Sequence, residues 1–336
     1  MTTVISSPQR TMISVVITAH NEAERIGECL KSLAKQTGIE ATELEIILVD
    51  DRSTDGTAEV ARACHLPNFV LLSTQGEKSR SLTARQVALD LGLRASKGEI
   101  VAIFDADAIL APDSLAKLAT DIRLDRADVT AGFVVFKSQT GSIGGWQTVD
   151  VAFYLGVCRL LAHFGWDAGV LFGNCAFRRR IYAEAGGFDT IGFALTEDLA
   201  FARAARQRGA RFSYAMTAGV EVAAAHSWDA LIERARRVGT GAFGPLSLAI
   251  GLWMALLPMC LLAAMVGGGT LALIALAIRY GAGALFVALQ IISTGHLRLL
   301  PRVLIYEPMA ISIGLLAIFR SARGRTITWG SRIYGA

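Results

Sequence analysis

The longest stretch without a charged side chain runs from Val238 to Ile278 and covers 41 residues. A helix that crosses a bilayer needs about 20 apolar residues. This stretch therefore has room for one membrane span, a glycine-rich turn at residues 267–269 and the start of a second span. Whatever fold the chain adopts must keep this segment out of water, whereas the mixed sequence before it is typical of a globular domain.

We therefore predict three parts along the chain. They are a globular domain at 1–230, an amphipathic arginine-rich helix at 231–245, and a membrane tail at 246–336 with spans at about 246–266 and 271–292 and a third apolar stretch at about 303–319. Glu307 and Pro308 interrupt the third stretch. The positive-inside rule favours keeping every arginine cluster of the tail in the cytoplasm. We accordingly expect a hairpin of two spans followed by a re-entrant segment, rather than three full spans.

Charge is distributed unevenly between these parts. After residue 230 the chain has ten Arg, no Lys and two Glu, which gives a formal charge of +8 against −4 for the rest. Arginines beside apolar spans are typical of contacts with anionic membrane lipids and not of nucleic-acid binding. Arg279 falls inside the second span, where it needs either a partner on another helix or a lipid phosphate.

The sequence before the membrane tail indicates on which side of the membrane the globular domain lies. The first residues are polar and lack the apolar core of a secretory leader. Five cysteines are scattered without the spacing of a metal site, which fits a reducing compartment. We expect a multi-pass protein of the cell inner (plasma) membrane with its globular domain in the cytoplasm.

Apolar runs alternate with segments of helical spacing in the first 110 residues. The runs are "MISVVITA", "LEIILVD", "FVLLST" and "EIVAIFD". Such alternation predicts an α/β fold with a parallel sheet covered on both faces. Ligands bind such sheets beyond the carboxyl ends of the strands. The pairs Asp50-Asp51 and Asp105/Asp107 both follow strand ends, so we expect a ligand there.

Asp105 and Asp107 flank a single alanine. Two carboxylates at this spacing can hold Mg²⁺ or Mn²⁺, whose remaining positions take water and substrate phosphates. The alternative is that they cap the helix that begins near Pro112. Glu197 and Asp198 open a later helix, where the helix dipole favours acidic residues whether or not they have a function.

The order of these motifs resembles the inverting, metal-dependent nucleotide-sugar glycosyltransferases of family 2. The matching stretches are "VVITAHNEAERIGECLKSL", "ILVDDRSTDGT", "TARQVALDLGLRASKGEIVAIFDADAILAPDSL", "GNCAFRRRIYAEAGGFD" and "LTEDLAFARAARQRG", which together cover about residues 12–215. The resemblance implies a Rossmann-like GT-A nucleotide-diphospho-sugar transferase domain, followed here by a transmembrane helical tail.

The resemblance also implies roles for the matched residues. On the donor side these are Glu22 and Asp50 or Asp51 at the base and ribose, Asp105 at the nucleotide, Lys78 and Arg85 as further nucleotide contacts, and Asp107 with Asp105 at a Mn²⁺ or Mg²⁺ ion. On the acceptor side they are Gly173, Asn174 and Arg236, with Asp198 as general base beside Glu197 and His226 as a further metal or phosphate ligand. Each could instead have a purely structural role, and this alternative remains open for Lys78, Arg85 and His226 in particular.

One motif differs from the family's pattern, and this difference narrows the range of reactions that we expect of the chain. The Gln-x-x-Arg-Trp motif of processive polysaccharide synthases corresponds here to Glu233–Arg237, and only Arg236 matches it. We therefore expect transfer of one sugar, from a UDP-sugar by preference, to a lipid acceptor such as a hopanoid, carotenoid, glycerolipid, ceramide or polyprenyl phosphate. A polysaccharide synthase and a catalytically silent membrane scaffold are the alternatives. We expect residues 134–171 to pack against the membrane face and contact the lipid tail.

Overall fold

The structure is a computed structural model that describes residues 11–77, 81–137, 143–166, 169–241, 245–267, 269–323, 326–329 and 332–335. The chain forms two compact units, each made of segments that are separate in sequence. The first unit contains Met1–Gly132, Val170–Phe193 and Ala204–Glu221, and the second contains Phe133–Gly169, Ala194–Arg203 and Val222–Ala336.

Eight strands form the main sheet, and two short strands pair near the carboxyl terminus. The strands are β1 (Ile13–Ala19), β2 (Leu44–Asp50), β3 (Phe69–Ser73), β4 (Ile100–Asp105), β5 (Ile109–Leu110), β6 (Val129–Lys137), β7 (Asn174–Arg178), β8 (Phe212–Ala223), β9 (Thr326–Trp329) and β10 (Arg332–Gly335). The order in the main sheet is β3-β2-β1-β4-β7-β6-β8-β5. The first four strands are parallel, as predicted, because each is an apolar run joined to the next by a helix.

The other half of the sheet was not predicted. Strand β7 pairs antiparallel with both β4 and β6, and β5 pairs antiparallel with β8. The sheet is therefore mixed, and the antiparallel strands continue it past β4, the strand that ends in Asp105.

Twelve α-helices are assigned in the part of the chain that the structure describes. They are α1 (Ile26–Ala34), α2 (Thr57–Arg62), α3 (Ala84–Ala95), α4 (Ser114–Arg123), α5 (Ile143–His163), α6 (Arg179–Glu184), α7 (Gly187–Ile191), α8 (Glu197–Gln207), α9 (Trp228–Gly241), α10 (Pro245–Met265), α11 (Gly269–Thr294) and α12 (Leu300–Arg323). Helix α3 begins with a complete capping box, in which Thr83 and Gln86 each bond the backbone of the other.

Helix α5 packs against the tail helices within the second unit. The ring of Phe153 lies 5.9 Å from that of Phe286 on α11 and 5.5 Å from that of Tyr306 on α12. Gly156 faces Gln290 of α11 so closely that an added Cβ would lie 2.5 Å from its side chain. These contacts place α5 against the tail helices, whereas contact of residues 134–171 with the membrane face and a lipid tail stays a prediction.

Three helices of the described chain are long and apolar enough to cross a membrane. They are Ser247–Met265, Gly269–Thr294 and Leu297–Arg323. The third is continuous through Pro308, contrary to the interruption expected there. Proline has no N–H to bond the carbonyl four residues earlier. The hydroxyl of Tyr280 on α11 donates to that carbonyl, which belongs to Leu304, so the helix continues without an unsatisfied group.

Arg279 pairs with another helix. Its Nη1 lies 3.0 Å from both carboxylate oxygens of Glu307, and its Nη2 donates to the carbonyl of Trp253 at 2.7 Å. The guanidinium also stacks 3.7 Å from the Trp253 ring centroid, and the indole Nε1 donates to Glu307 at 3.1 Å. Gly283 leaves space for this carboxylate, since a Cβ there would lie 2.3 Å from Glu307 Oε1. One buried ion pair thus joins α10, α11 and α12.

Helix α12 also runs beside the charged helix α9. Arg320 near its end lies 2.5 Å from Asp229 at the start of α9. Helix α9 carries Glu233, Arg234, Arg236 and Arg237 along its length, and such a helix is costly to place in hydrocarbon. Whether α12 crosses the membrane or re-enters it stays a prediction, and the expected arrangement is two full spans.

We expect the substitution Glu307→Gln to destabilise the tail strongly. Removing one partner of a buried ion pair leaves an uncompensated charge and typically costs about 3–5 kcal/mol. Thermal unfolding of the purified chain in detergent should show a clear loss of stability, whereas the exposed Arg298→Gln should unfold like the parent. A double variant, Arg279→Leu with Glu307→Leu, should lose less than Glu307→Gln alone; a larger loss would contradict the pairing as the source of stability.

Single cysteines should report the topology of the tail. We expect Leu297→Cys and Ala322→Cys, near the two ends of α12, to react with a membrane-impermeant thiol reagent from the cytoplasmic side. Val266→Cys, in the turn between α10 and α11, should react from the opposite side. Labelling of positions 297 and 322 from opposite sides would show that α12 crosses the bilayer.

Candidate functional site

The acids predicted from the sequence meet at the carboxyl edge of the parallel strands in the first unit. In the register of the sheet Ala19 pairs with Asp50, and Thr18 pairs with Asp105. Glu22 follows in the loop after β1. Three loops that are far apart in sequence therefore begin at one edge, as the parallel arrangement requires.

The Asp105 carboxylate lies between the guanidinium of Arg85 and the backbone of Gly173. Arg85 Nη2 lies 2.5 Å from Asp105 Oδ1, and Arg85 is the second residue of the capped helix α3. On the other side, a Cβ added to Gly173 would lie 2.6 Å from Asp105 Oδ2. The sequence predicted Arg85 and Gly173 as separate contributors to donor and acceptor binding, and the structure brings both against the same carboxylate.

Negative charge accumulates where Glu22, Asp105 and Asp107 approach one another. Burial raises the pKa of Glu22, the charge of Asp107 raises it further, and Asp105 adds a smaller effect in the same direction. Arg25, 3.3 Å from the Glu22 carboxylate, acts in the opposite sense. Like charges at this edge therefore favour binding of a positive group.

Asp50 and Asp51 are both largely buried at the end of β2. Asp51 Oδ1 accepts hydrogen bonds from Thr74 Oγ1 at 2.5 Å and from Arg52 Nε at 2.9 Å. Asp50 Oδ1 accepts a weaker bond from the Ser53 N–H at 3.3 Å. These contacts fix the two carboxylates within the edge formed by β1, β2 and β3.

Two residues that organise this edge were missed from the sequence. Asp55 accepts hydrogen bonds from the N–H of Ala23 and from the hydroxyl of Thr57, and Asn21 Oδ1 accepts one from the Thr54 N–H at 2.8 Å. Asn21 has a φ of +57°, a conformation that asparagine tolerates better than most residues. An asparagine directly after a strand, and the Asp-Gly of "STDGT", were the signals available for this pair of interlocked loops.

Asn174, predicted to line the acceptor side together with Gly173, is fully buried. Its Nδ2 donates to the carbonyl of Ala218 at 2.8 Å, and Gly132 lies against it with no space for a Cβ. These contacts tie β7 to β8 directly behind Gly173. The Asn174 side chain therefore positions Gly173, the residue that directly precedes β7.

Four further predicted residues lie in the second unit. Glu197 is buried at the start of α8, and Asp198 Oδ1 accepts the N–H of Leu199 at 2.8 Å, in the first turn of that helix. His226 lies in the loop between β8 and α9. Arg236 is buried and paired with Glu233 one turn before it on α9. Lys78 lies outside the described residues.

Substitution of Gly173 should test the Asp105 arrangement. We expect Gly173→Ala to weaken nucleotide-sugar binding at least tenfold, because the new methyl group would displace the Asp105 carboxylate. Isothermal titration of the purified chain with the nucleotide sugar and Mn²⁺ measures this. Gly219→Ala is the matched control in the same unit, since a Cβ there meets no atom within 4 Å. Equal affinities for both variants would show that Asp105 does not contact the donor.

The fold of this chain is also found in a solved enzyme structure. The mannosyltransferase PcManGT of Pyrobaculum calidifontis, solved in complex with GDP-Man and Mn²⁺, aligns with a TM-score of 0.59 and 20% identity over 94% of this chain and 89% of its own. The mixed sheet with its three apolar carboxyl-terminal helices is therefore a GT-A fold, as predicted.

Curated relatives match the chain over shorter stretches. Glycosyltransferase GlyG of Streptococcus pneumoniae is 33% identical over 122 residues, which is 36% of this chain and 38% of the relative. Glycosyltransferase AglE of Haloferax volcanii is 32% identical over 131 residues, which is 38% of this chain and 41% of the relative. The matches thus span about two fifths of the length of these relatives.

A family profile covers a longer part of the chain than either relative. The profile described as Glycosyl transferase family 2 matches residues 14–186, which is just over half of the chain. This range includes the parallel strands, the carboxyl-edge acids and the Gly173 loop. The chain belongs to glycosyl transferase family 2.

Proposed function

We propose that the chain transfers one sugar from a nucleotide-diphospho-sugar to a lipid acceptor at the cytoplasmic face of the inner membrane. The observation that carries the proposal is the convergence of Glu22, Asp105 and Asp107 at one sheet edge, in a family 2 chain with three long apolar helices. UDP-sugars are the favoured donors.

The donor is held by the residues of the carboxyl edge. Glu22, Asp50 and Asp51 bind the base and ribose. Arg85 orients Asp105 through their 2.5 Å ion pair, so that Asp105 reaches the nucleotide. Lys78 is the further candidate for a nucleotide contact.

The acids at this edge fit a divalent metal. Asp105 and Asp107 supply hard oxygen donors, and a cation beside them would offset the negative charge that, after burial, raises the pKa of the neighbouring Glu22. The described residues contain no cluster of three His, Cys, Asp or Glu side chains that could hold a metal ion. Mg²⁺ and Mn²⁺ do not require such a cluster, since water and substrate phosphates complete their coordination. Asp107 and Asp105 would hold the ion, with His226 as a further candidate, and a metal bound there would supply positive charge to the departing diphosphate.

Asp198 is the proposed general base. It removes the proton of the acceptor hydroxyl while the oxygen attacks the anomeric carbon and the nucleoside diphosphate leaves. No protein nucleophile takes part, so a single displacement inverts the anomeric configuration. The buried Glu197 beside it contributes to positioning the base in the first turn of α8.

The acceptor side is assigned to the second unit and its surroundings. The packing of α5 on the tail helices supports a lipid acceptor, and the tail arginines would bind anionic membrane lipids. Arg236 and the Gly173 loop, which Asn174 anchors, complete this side.

A polysaccharide synthase is the second candidate. A poly-β-1,6-N-acetyl-D-glucosamine synthase of Staphylococcus epidermidis is 25% identical over 193 residues, which favours this alternative. The altered Gln-x-x-Arg-Trp stretch opposes it, because the aromatic platform for a sugar ring is replaced by Arg237. A catalytically silent scaffold is the third candidate, and any turnover of a nucleotide sugar excludes it.

Turnover with a donor panel tests the proposal. The purified chain is incubated with radiolabelled UDP- and GDP-sugars, Mn²⁺ and total membrane lipid, and the products are separated by thin-layer chromatography. We expect one new glycolipid, formed at a rate at least a hundredfold lower by Asp198→Asn, because the hydroxyl then has no base. The variant should still bind the donor.

Two results would contradict this assignment. Product that stays at the origin and is digested by a glycan hydrolase would indicate a polymer. Undiminished transfer by Asp198→Asn would exclude Asp198 as the base. Asp229→Asn, which removes an exposed acid at the start of α9, is the control.

A further inference from the structure

The second unit contains a cavity of about 300 Å³ between α5, α9 and α12. This volume lies at the lower end of the range for small-molecule pockets. Most of the lining is apolar and includes Phe136, Trp146, Met309 and Ile313. An apolar lining of this kind favours the hydrocarbon part of a lipid over water as the occupant of the cavity.

The polar side chains of the cavity are centred on Asp150. The hydroxyl of Tyr306 donates to Asp150 Oδ1 at 2.7 Å, and the positive charge of Arg234 attracts the same carboxylate. The Arg234 guanidinium also lies 4.7 Å from the Phe136 ring centroid. Desolvation by the surrounding protein raises the pKa of Asp150, although the surface of this residue is exposed where it lines the cavity.

The cavity adjoins the residues assigned to the acceptor. Gln147 in its wall accepts the N–H of Ala225, next to His226, and Ala235 in its wall precedes Arg236. Asp198 lies close enough to Cys158 on α5 that its charge adds to the effect of burial in raising the thiol pKa. Cys158 is eight residues beyond Asp150, or about 12 Å along the helix.

Charge decides which kind of lipid this cavity can take. Asp150 and Arg234 are of opposite sign, so together they offer no net positive charge to a ligand. A lipid phosphate would bring a second anion beside the Asp150 carboxylate, and two like charges in a cavity with apolar walls repel each other. An uncharged lipid can instead exchange hydrogen bonds with Asp150 and Gln147 at no electrostatic cost.

We propose that the acceptor is an uncharged lipid alcohol, whose apolar body occupies this cavity, and not a lipid phosphate. Asp150 determines this specificity by excluding anionic head groups. The inference rests on the proposed transfer to lipid and narrows its substrate class.

Fractionated membrane lipid tests the inference directly. Total lipid is separated by anion exchange into an uncharged and an acidic fraction, and each is offered to the purified full-length chain with Mn²⁺ and the radiolabelled nucleotide sugar. We expect the labelled glycolipid only from the uncharged fraction. Asp150→Asn should lower kcat/KM for this lipid about tenfold and leave release of the sugar to water unchanged, whereas the control Asp229→Asn should change neither.

A cavity-filling variant provides a second test that leaves the charges in place. Ala310→Phe should raise KM for the lipid at least tenfold, because the ring would occupy the cavity, and release of the sugar to water should again be unchanged. An unaltered KM would overturn the inference.

Two further outcomes separate the inference from the function on which it rests. Label found only in the acidic fraction would overturn the inference and leave the transferase proposal intact. If no donor is turned over, whether to lipid or to water, both are overturned together.

Discussion

Repulsion between carboxylates at the sheet edge is the constraint on which the first unit depends. The parallel register of β1, β2 and β4 brings their ends level, so that the acids which follow them cannot avoid one another. Each of these acids has a hydrogen-bonding or ion-pairing partner. Asp105 is paired with Arg85, Asp51 accepts from Thr74 and Arg52, and Glu22 is paired with Arg25. Repulsion between so many negative charges lowers the stability of the folded chain when no cation is bound. Such unfavourable electrostatics are common at sites that bind ligands.

The membrane tail also depends on partners for the charged and polar groups that it buries. Every polar group that its helices bury needs a partner, because hydrocarbon offers none. Arg279 and Glu307 satisfy each other together with Trp253, and Tyr280 satisfies the carbonyl that Pro308 leaves free. Residues that would each disfavour a membrane helix are therefore the ones that specify how these three helices pack.

The sequence allowed prediction of features that depend on local pattern. The parallel strands could be predicted because each is an apolar run of its own, and the edge acids because they follow those runs directly. The antiparallel strands β6, β7 and β8 could not, since their pairing joins segments dozens of residues apart. For the same reason the interruption predicted at Glu307-Pro308 was wrong, since Arg279 on α11 pairs with Glu307 and Tyr280 on α11 bonds the Leu304 carbonyl that Pro308 leaves without a donor. In each case the deciding contact lies far away in the sequence.

The division of the chain has a consequence for how such proteins can diverge. The acids proposed to hold the donor belong to the first unit, and every residue that lines the cavity belongs to the second. Substitutions that reshape the cavity therefore change no residue of the sheet edge. If the proposed acceptor site is correct, duplicated copies of such a gene would change their acceptor through α5, α9 and α12 while the residues proposed to hold the donor stay the same.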